Sequence, residues 1–178
     1  MTDVSGAESI RSAAVSVLEQ GAAFIGGLED DQYVATCDRI GASVGQHVRH
    51  ALDHFTALLD AYESGEAAGS GPAAYDQRAR GTDIEANRAA ALEAIAKLKS
   101  QLGGLDEVQL EWPVTIQVMA STDRPEVSIE STLVRELAFV THHAIHHWAI
   151  CKIGCGEIGV ECDASFGRAP STLAHEHS

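Results

Sequence analysis

Glycine placement is the strongest constraint on how this chain folds. Gly26-Gly27, Gly65, Gly103-Gly104 and the pair Gly154 and Gly156 separate stretches whose apolar residues recur every three or four positions. Glycine is favoured just past helix ends, and that spacing marks a helix with one buried face. Four helices are therefore expected. The first covers 4–27, with Ala13, Ala14, Val17, Leu18, Ala22, Phe24 and Ile25 inward. The second is capped by Asp30 or Asp31 and runs to about Ser64, burying Ile40, Val44, Val48, Ala51, Phe55, Leu58, Leu59 and Tyr62. The third covers about 83–102 behind a Thr82-to-Glu85 capping box, with Ile84, Ala91, Leu92, Ile95 and Leu98 inward. The fourth runs from near Ser131 to about Ile153 on a stripe of Leu133, Leu137, Val140 and Ala144.

The connections differ in character. Residues 65–81 are rich in Gly and Ala and read as a loop. Residues 108–130 alternate in "VTIQVMAS" and "EVSIES", which predicts a β-hairpin turning near Asp123-Arg124 as the only extended structure. The tail, about 156–178, has no period and reads as an irregular segment packed on the helices. Together these describe an all-α, antiparallel four-helix bundle with a short β-hairpin before the last helix, in a single domain over 1–178.

Charge and composition exclude some functions. A formal net charge of -14 argues against nucleic acid, which is held by clustered Lys and Arg. No apolar run approaches the length of a membrane span. "MTDVSGAESI" lacks the apolar core of a secretory signal, so a cytoplasmic location is expected. Cys37, Cys151, Cys155 and Cys162 are then expected as reduced thiols, and none of them forms a CxxC pair.

Within that frame, "THHAIHHWAICKIGC" (141–155) places four histidines on the last helix. Residues four apart share a face, so they form two columns, His142/His146 and His143/His147. The second column lies beside Val140 and Ala144, and the first lies on the side of Arg135. A histidine pair one turn apart can hold a metal through two imidazole nitrogens. Bundles build metal sites from facing helices, and "HVRHALDHF" supplies His47, His50 and His54 on the second helix. Periodicity puts His47 or His54 nearer the apolar face than His50. Three histidine ligands would leave a fourth position open to water or substrate, as in catalytic sites.

These segments resemble the DinB-like superfamily of metal-binding four-helix bundles. "SVGQHVRHALDHF" (43–55) is similar to the family's second-helix segment, and "HHAIHHWAI" (142–150) to its HxxxH segment. The resemblance covers roughly residues 10–155. It implies a divalent transition metal (zinc, nickel or iron) held by His50, His143 and His147. The DinB-like domains of sulfoxide synthases, which carry their ligand on the second histidine of an HxxH, also favour His50. The resemblance further implies group transfer with a low-molecular-weight thiol, of the S-transferase kind. The alternative is a non-catalytic metal-binding or stress-response bundle with a structural or vestigial site. The expected partner is a small-molecule substrate or thiol, with a homodimer open as an assembly. Two features depart from the family: Trp148 stands where many members have Arg, and the hairpin is not general to it.

Two further groups carry chemistry. Cys151 and Cys155 continue the His143/His147 column and read as small buried core residues before they read as ligands. "YDQRARGTDIEANR" (75–88) concentrates Arg78, Arg80 and Arg88 beside Tyr75, Asp76 and Glu85. It reads either as a loop pinned by ion pairs or as a holder for an anionic substrate. His54, His142 and His146 read as partly exposed helix surface.

Overall fold

The computed structural model describes residues 5–65, 71–77 and 80–176. In chain order they form α1 (Gly6–Gly26), α2 (Asp30–Val34), β1 (Thr36–Cys37), β2 (Ala42–Ser43), α3 (Val44–Gly65), β3 (Ala73–Ala74), α4 (Asp83–Ala86), α5 (Arg88–Gly103), α6 (Glu107–Leu110), β4 (Pro113–Val118), β5 (Val127–Thr132), α7 (Leu133–Cys155) and α8 (Pro170–Glu176). The protein is mostly helical, with a β-hairpin ahead of its longest helix.

Four long helices make the body. α1 and α3 each pack against both α5 and α7, so the helices surround one core. The apolar stripes meet there: Val17, Leu18 and Ile25 from α1, Val48, Phe55 and Leu58 from α3, Ile95 and Leu98 from α5, and Leu137, Val140 and Ala144 from α7 are buried. Trp148 anchors α7 to α1. Its indole N–H donates to the Val17 carbonyl at 3.1 Å, and a Cβ on Gly21 would come within 2.6 Å of its ring. An alanine at 21 would therefore force the two helices apart. Trp148 is a wholly buried core residue.

The expected second helix is two helices. α2 stops at Val34, β1 and β2 form a small antiparallel ladder, and α3 starts at Val44. Gly41 turns that ladder at φ +65, a conformation that favours glycine. Ser43 and Gln46 close a capping box, with Gln46 N–H donating to Ser43 Oγ at 3.2 Å and Ser43 N–H to Gln46 Oε1 at 2.9 Å. Ile40 therefore lies outside α3 and packs its side chain towards Gly154. The third helix also breaks, at Asn87 (φ -132, ψ 110), whose side chain accepts from Ala89 and Ala90 N–H and starts α5. Thr82 makes no capping bond, so the expected box there does not form.

The hairpin is present as β4 and β5, with Ile116 opposite Ile129. It is not the only extended structure: β3, inside the expected loop, adds to β4 in parallel, and β1–β2 is a second small sheet. Residues 108–110, expected at the start of the hairpin, lie in the helix α6, started by an Asp106–Gln109 capping box. The tail, expected to be irregular, carries the short helix α8. It is tied to α7 by Lys152, whose ammonium donates to the Asp163 and Ala164 carbonyls at 2.8 Å each. Among the described residues, no helix is long and apolar enough to cross a membrane.

Candidate metal centre

α3 and α7 lie side by side, and their histidines converge. His143 stands on the half-buried edge of α7 and His147 one turn further inward, at 7 % exposure, while His142 and His146 face solvent. From α3, His50 meets His143 with Nε2 atoms 3.3 Å apart, and His47 meets His147 with Nδ1 atoms 3.0 Å apart. Two imidazole nitrogens on one tetrahedral zinc, each about 2.05 Å from it, stand roughly 3.3 Å apart. The His50–His143 pair therefore has the bite of a single metal.

His54 belongs to the same cluster. It is 5 % exposed, not partly exposed surface, and its ring stacks on His143 at 4.0 Å. Its Nδ1 lies 3.0 Å from the His50 carbonyl oxygen, which only accepts, so Nδ1 carries the proton and Nε2 keeps its lone pair. His50, His54 and His143 each offer a ligand atom, and the three atoms lie within 4.8 Å of one another. The His147 ring is 4.7 Å from His50 and 4.6 Å from His143. The rings of His50, His143 and His147 thus lie together, while the three that offer ligand atoms within reach of one ion are His50, His54 and His143, so His54, one of the alternatives on the second helix, joins the group.

Electrostatics favour the neutral form of His147 and His47. Burial, reinforced by the charges of His143, His50, His47 and His146, pushes the His147 pKa down to about 2. Burial also lowers that of His47, partly offset by a bond to the Ile40 backbone. Neutral imidazoles are the form that ligates a metal, and the donor set fits a divalent transition ion.

An aromatic and acidic shell lies behind the cluster. Tyr75 stacks on His54 at 5.1 Å, nearly parallel at 7°, and donates its hydroxyl to Glu136 at 3.0 Å. Ser131 Oγ donates to the same carboxylate at 2.7 Å, and Arg135 is hydrogen-bonded to it as well. Phe139 stacks on His143 at 6.0 Å. Glu136, Phe139, His143 and His147 form one stripe of α7. A glutamate beside Leu137 and Val140 on the inner face was the available signal for Glu136. Tyr75 comes from the loop region, where periodicity says nothing.

The arginine group is not assembled here. Arg88 pairs with Asp30 at 2.7 Å and with the Ile25 carbonyl, not with Glu85. Glu85 instead holds Arg49 at 2.9 Å, and Asp76 accepts from Met119 N–H at 2.6 Å. Arg80 is exposed, and Arg78 lies outside the described residues. The cysteines gather towards the C-terminal end of α7, where Cys37, Cys151 and Cys155 are buried free thiols and Cys162 is half-buried. Burial above all raises the Cys151 pKa beyond the thiol range, and with a hydrogen bond that the Cys155 thiol donates to Cys162 it pushes Cys155 up to about 12.

Among known proteins, 102 residues are 35 % identical to FK506-binding protein 5 of Rhizopus delemar, covering 57 % of this chain and 26 % of that protein. The chain thus spans about a quarter of the length of the curated relative it matches. No family model matches the chain, and no solved structure does.

Proposed function

We propose that this protein is a DinB-like metalloprotein that uses a divalent ion, held between α3 and α7, in group transfer with a small thiol. The observation that carries the reading is the 3.3 Å approach of His50 Nε2 to His143 Nε2 across two helices. His147 completes the ligand set that the family pattern implies. Such an ion, when bound, lowers the pKa of a thiol or water and makes a nucleophile at neutral pH. The chain's own part is to hold the imidazoles in place. The His50 carbonyl fixes the His54 tautomer, and the contact with His47 orients the His147 ring. The tyrosine-to-glutamate bond behind His54 stiffens the outer wall.

A second reading is favoured by His54. If its Nε2 joins His50, His143 and His147, four imidazoles close a tetrahedral site and leave no position for a substrate. The protein would then bind metal without catalysis. The experiment is elemental analysis before and after chelation, followed by turnover of an electrophile with a small thiol. One ion per chain and metal-dependent turnover are expected. One ion without turnover in the parent, with turnover gained in His54→Ala, selects the closed site. No stoichiometric ion sinks both readings.

A further inference from the structure

We infer that the pocket between the hairpin and α7 binds small molecules with an apolar or aromatic body and a carboxylate head, and that Arg135 reads the carboxylate. This deepens the reading above, since the pocket shares its walls with the histidine cluster. The cavity is about 360 Å³, within the roughly 300–1,000 Å³ of small-molecule sites. Its apolar surface comes from Ile116, Val118 and Ile129 on the strands and from Phe139 on α7. Ile129 and Phe139 are exposed although large and apolar, which marks a surface that a ligand can cover. Tyr75 and Phe139, which line the pocket, are the rings that stack on His54 and His143. A molecule seated here lies directly behind the proposed ligands.

The polar groups decide the sign of the head. Three carry charge: Glu130, Glu136 and Arg135. Glu136 is 2 % exposed, and its carboxylate is met by Tyr75, Ser131 and Arg135. Its burial beneath those donors screens it from a cationic ligand. Glu130 accepts from Thr115 Oγ1 at 3.1 Å and is exposed. Arg135 is 67 % exposed, with its guanidinium carbon 6.0 Å from the Phe139 ring centroid. Only Nη1 is engaged with Glu136, which leaves the Nε and Nη2 donors free to form the fork that a carboxylate fits. Cation and aromatic face thus stand together, the arrangement that takes an anionic head and a flat body at once.

The test uses 3-phenylpropionate, its neutral amide and 3-phenylpropylamine, titrated calorimetrically into the full chain, metal-loaded and chelated. The carboxylate should bind both forms, about tenfold more tightly than the amide, and the amine should bind weakest. Arg135→Gln should erase the preference for carboxylate over amide, and Arg135→Lys should restore part of it. Phe139→Ala should weaken carboxylate and amide together. An unchanged melting temperature in Arg135→Lys shows that the effect is not misfolding. Equal binding of all three probes, preference for the amine, or no binding overturns the inference. So does carboxylate binding that needs metal and ignores Arg135, which would place the head on the ion. If the protein holds no metal but the Arg135 dependence stands, the metal reading has failed and the pocket has not.

Discussion

α7 carries two sets of metal-capable side chains, and burial treats them in opposite ways. Around His143 and His147 the groups are imidazoles, and around Cys151 and Cys155 they are thiols. Burial disfavours the charged form of either. For histidine the neutral form is the ligand, so the fall of the His147 pKa to about 2 prepares the site. For cysteine the charged thiolate is the ligand and nucleophile, so the rise of the Cys155 pKa to about 12 disarms it. The same desolvation therefore makes one cluster a candidate centre and the other a piece of core. A run of metal-capable residues says little about function until the sign of its burial effect is known.

The comparison breaks most sharply on metal content. His50→Ala or His143→Ala should reduce bound metal from one ion per chain to none, while Cys155→Ala and His142→Ala should leave it at one. Elemental analysis after gel filtration reads this directly. Loss of metal from Cys155→Ala, with His50→Ala still loaded, would reverse the assignment of the two clusters.

A second test uses pH, because the clusters should weaken the fold at opposite ends of the scale. His147 has a folded pKa near 2, against about 6.5 for an unperturbed histidine. Between those values the unfolded chain binds the extra proton, so stability of the chelated protein is full above about pH 6.5 and declines as the pH falls. Cys155 has a folded pKa near 12, against about 8.5 for a free thiol. There the unfolded chain loses its proton first, so stability is full below about pH 8.5 and declines as the pH rises towards 12. Thermal melts across pH should show both limbs. His147→Asn should flatten only the acid limb, and Cys155→Ala only the alkaline one. Added metal should raise the melting temperature at pH 7, by about 2.7 kcal/mol of stabilisation when the ion is at 100 times its dissociation constant.

The smallest effect concerns His47, whose Nδ1 lies against Nδ1 of His147. His47→Ala should weaken metal binding by about 10–100-fold without abolishing it, the usual cost of losing a partner that orients a ligand. Competition with a chelator of known affinity measures this. A total loss would make His47 a ligand, and no change would leave His147 oriented by packing alone.

Local features were legible in the chain itself. The glycine stops and apolar stripes set four helical regions, because helix periodicity and termini depend on neighbours a few residues away. The alternation in "VTIQVMAS" and "EVSIES" set the hairpin for the same reason. His143 and His147 had to share a face, since four residues make about one turn. Other features required the folded chain. The break before α3 depends on Gly41 and on the Ser43–Gln46 box, which a pattern extending through Ile40 conceals. Which of His47, His50 and His54 meets which residue of α7 depends on how far α3 is rotated about its axis. That rotation follows from packing both helices against α1 and α5, not from either helix alone. Tyr75 reaches His54 from 21 positions away in sequence, and its partner Glu136 lies a further 61 on. Such contacts are made by burial of distant surfaces, and no local spacing encodes them.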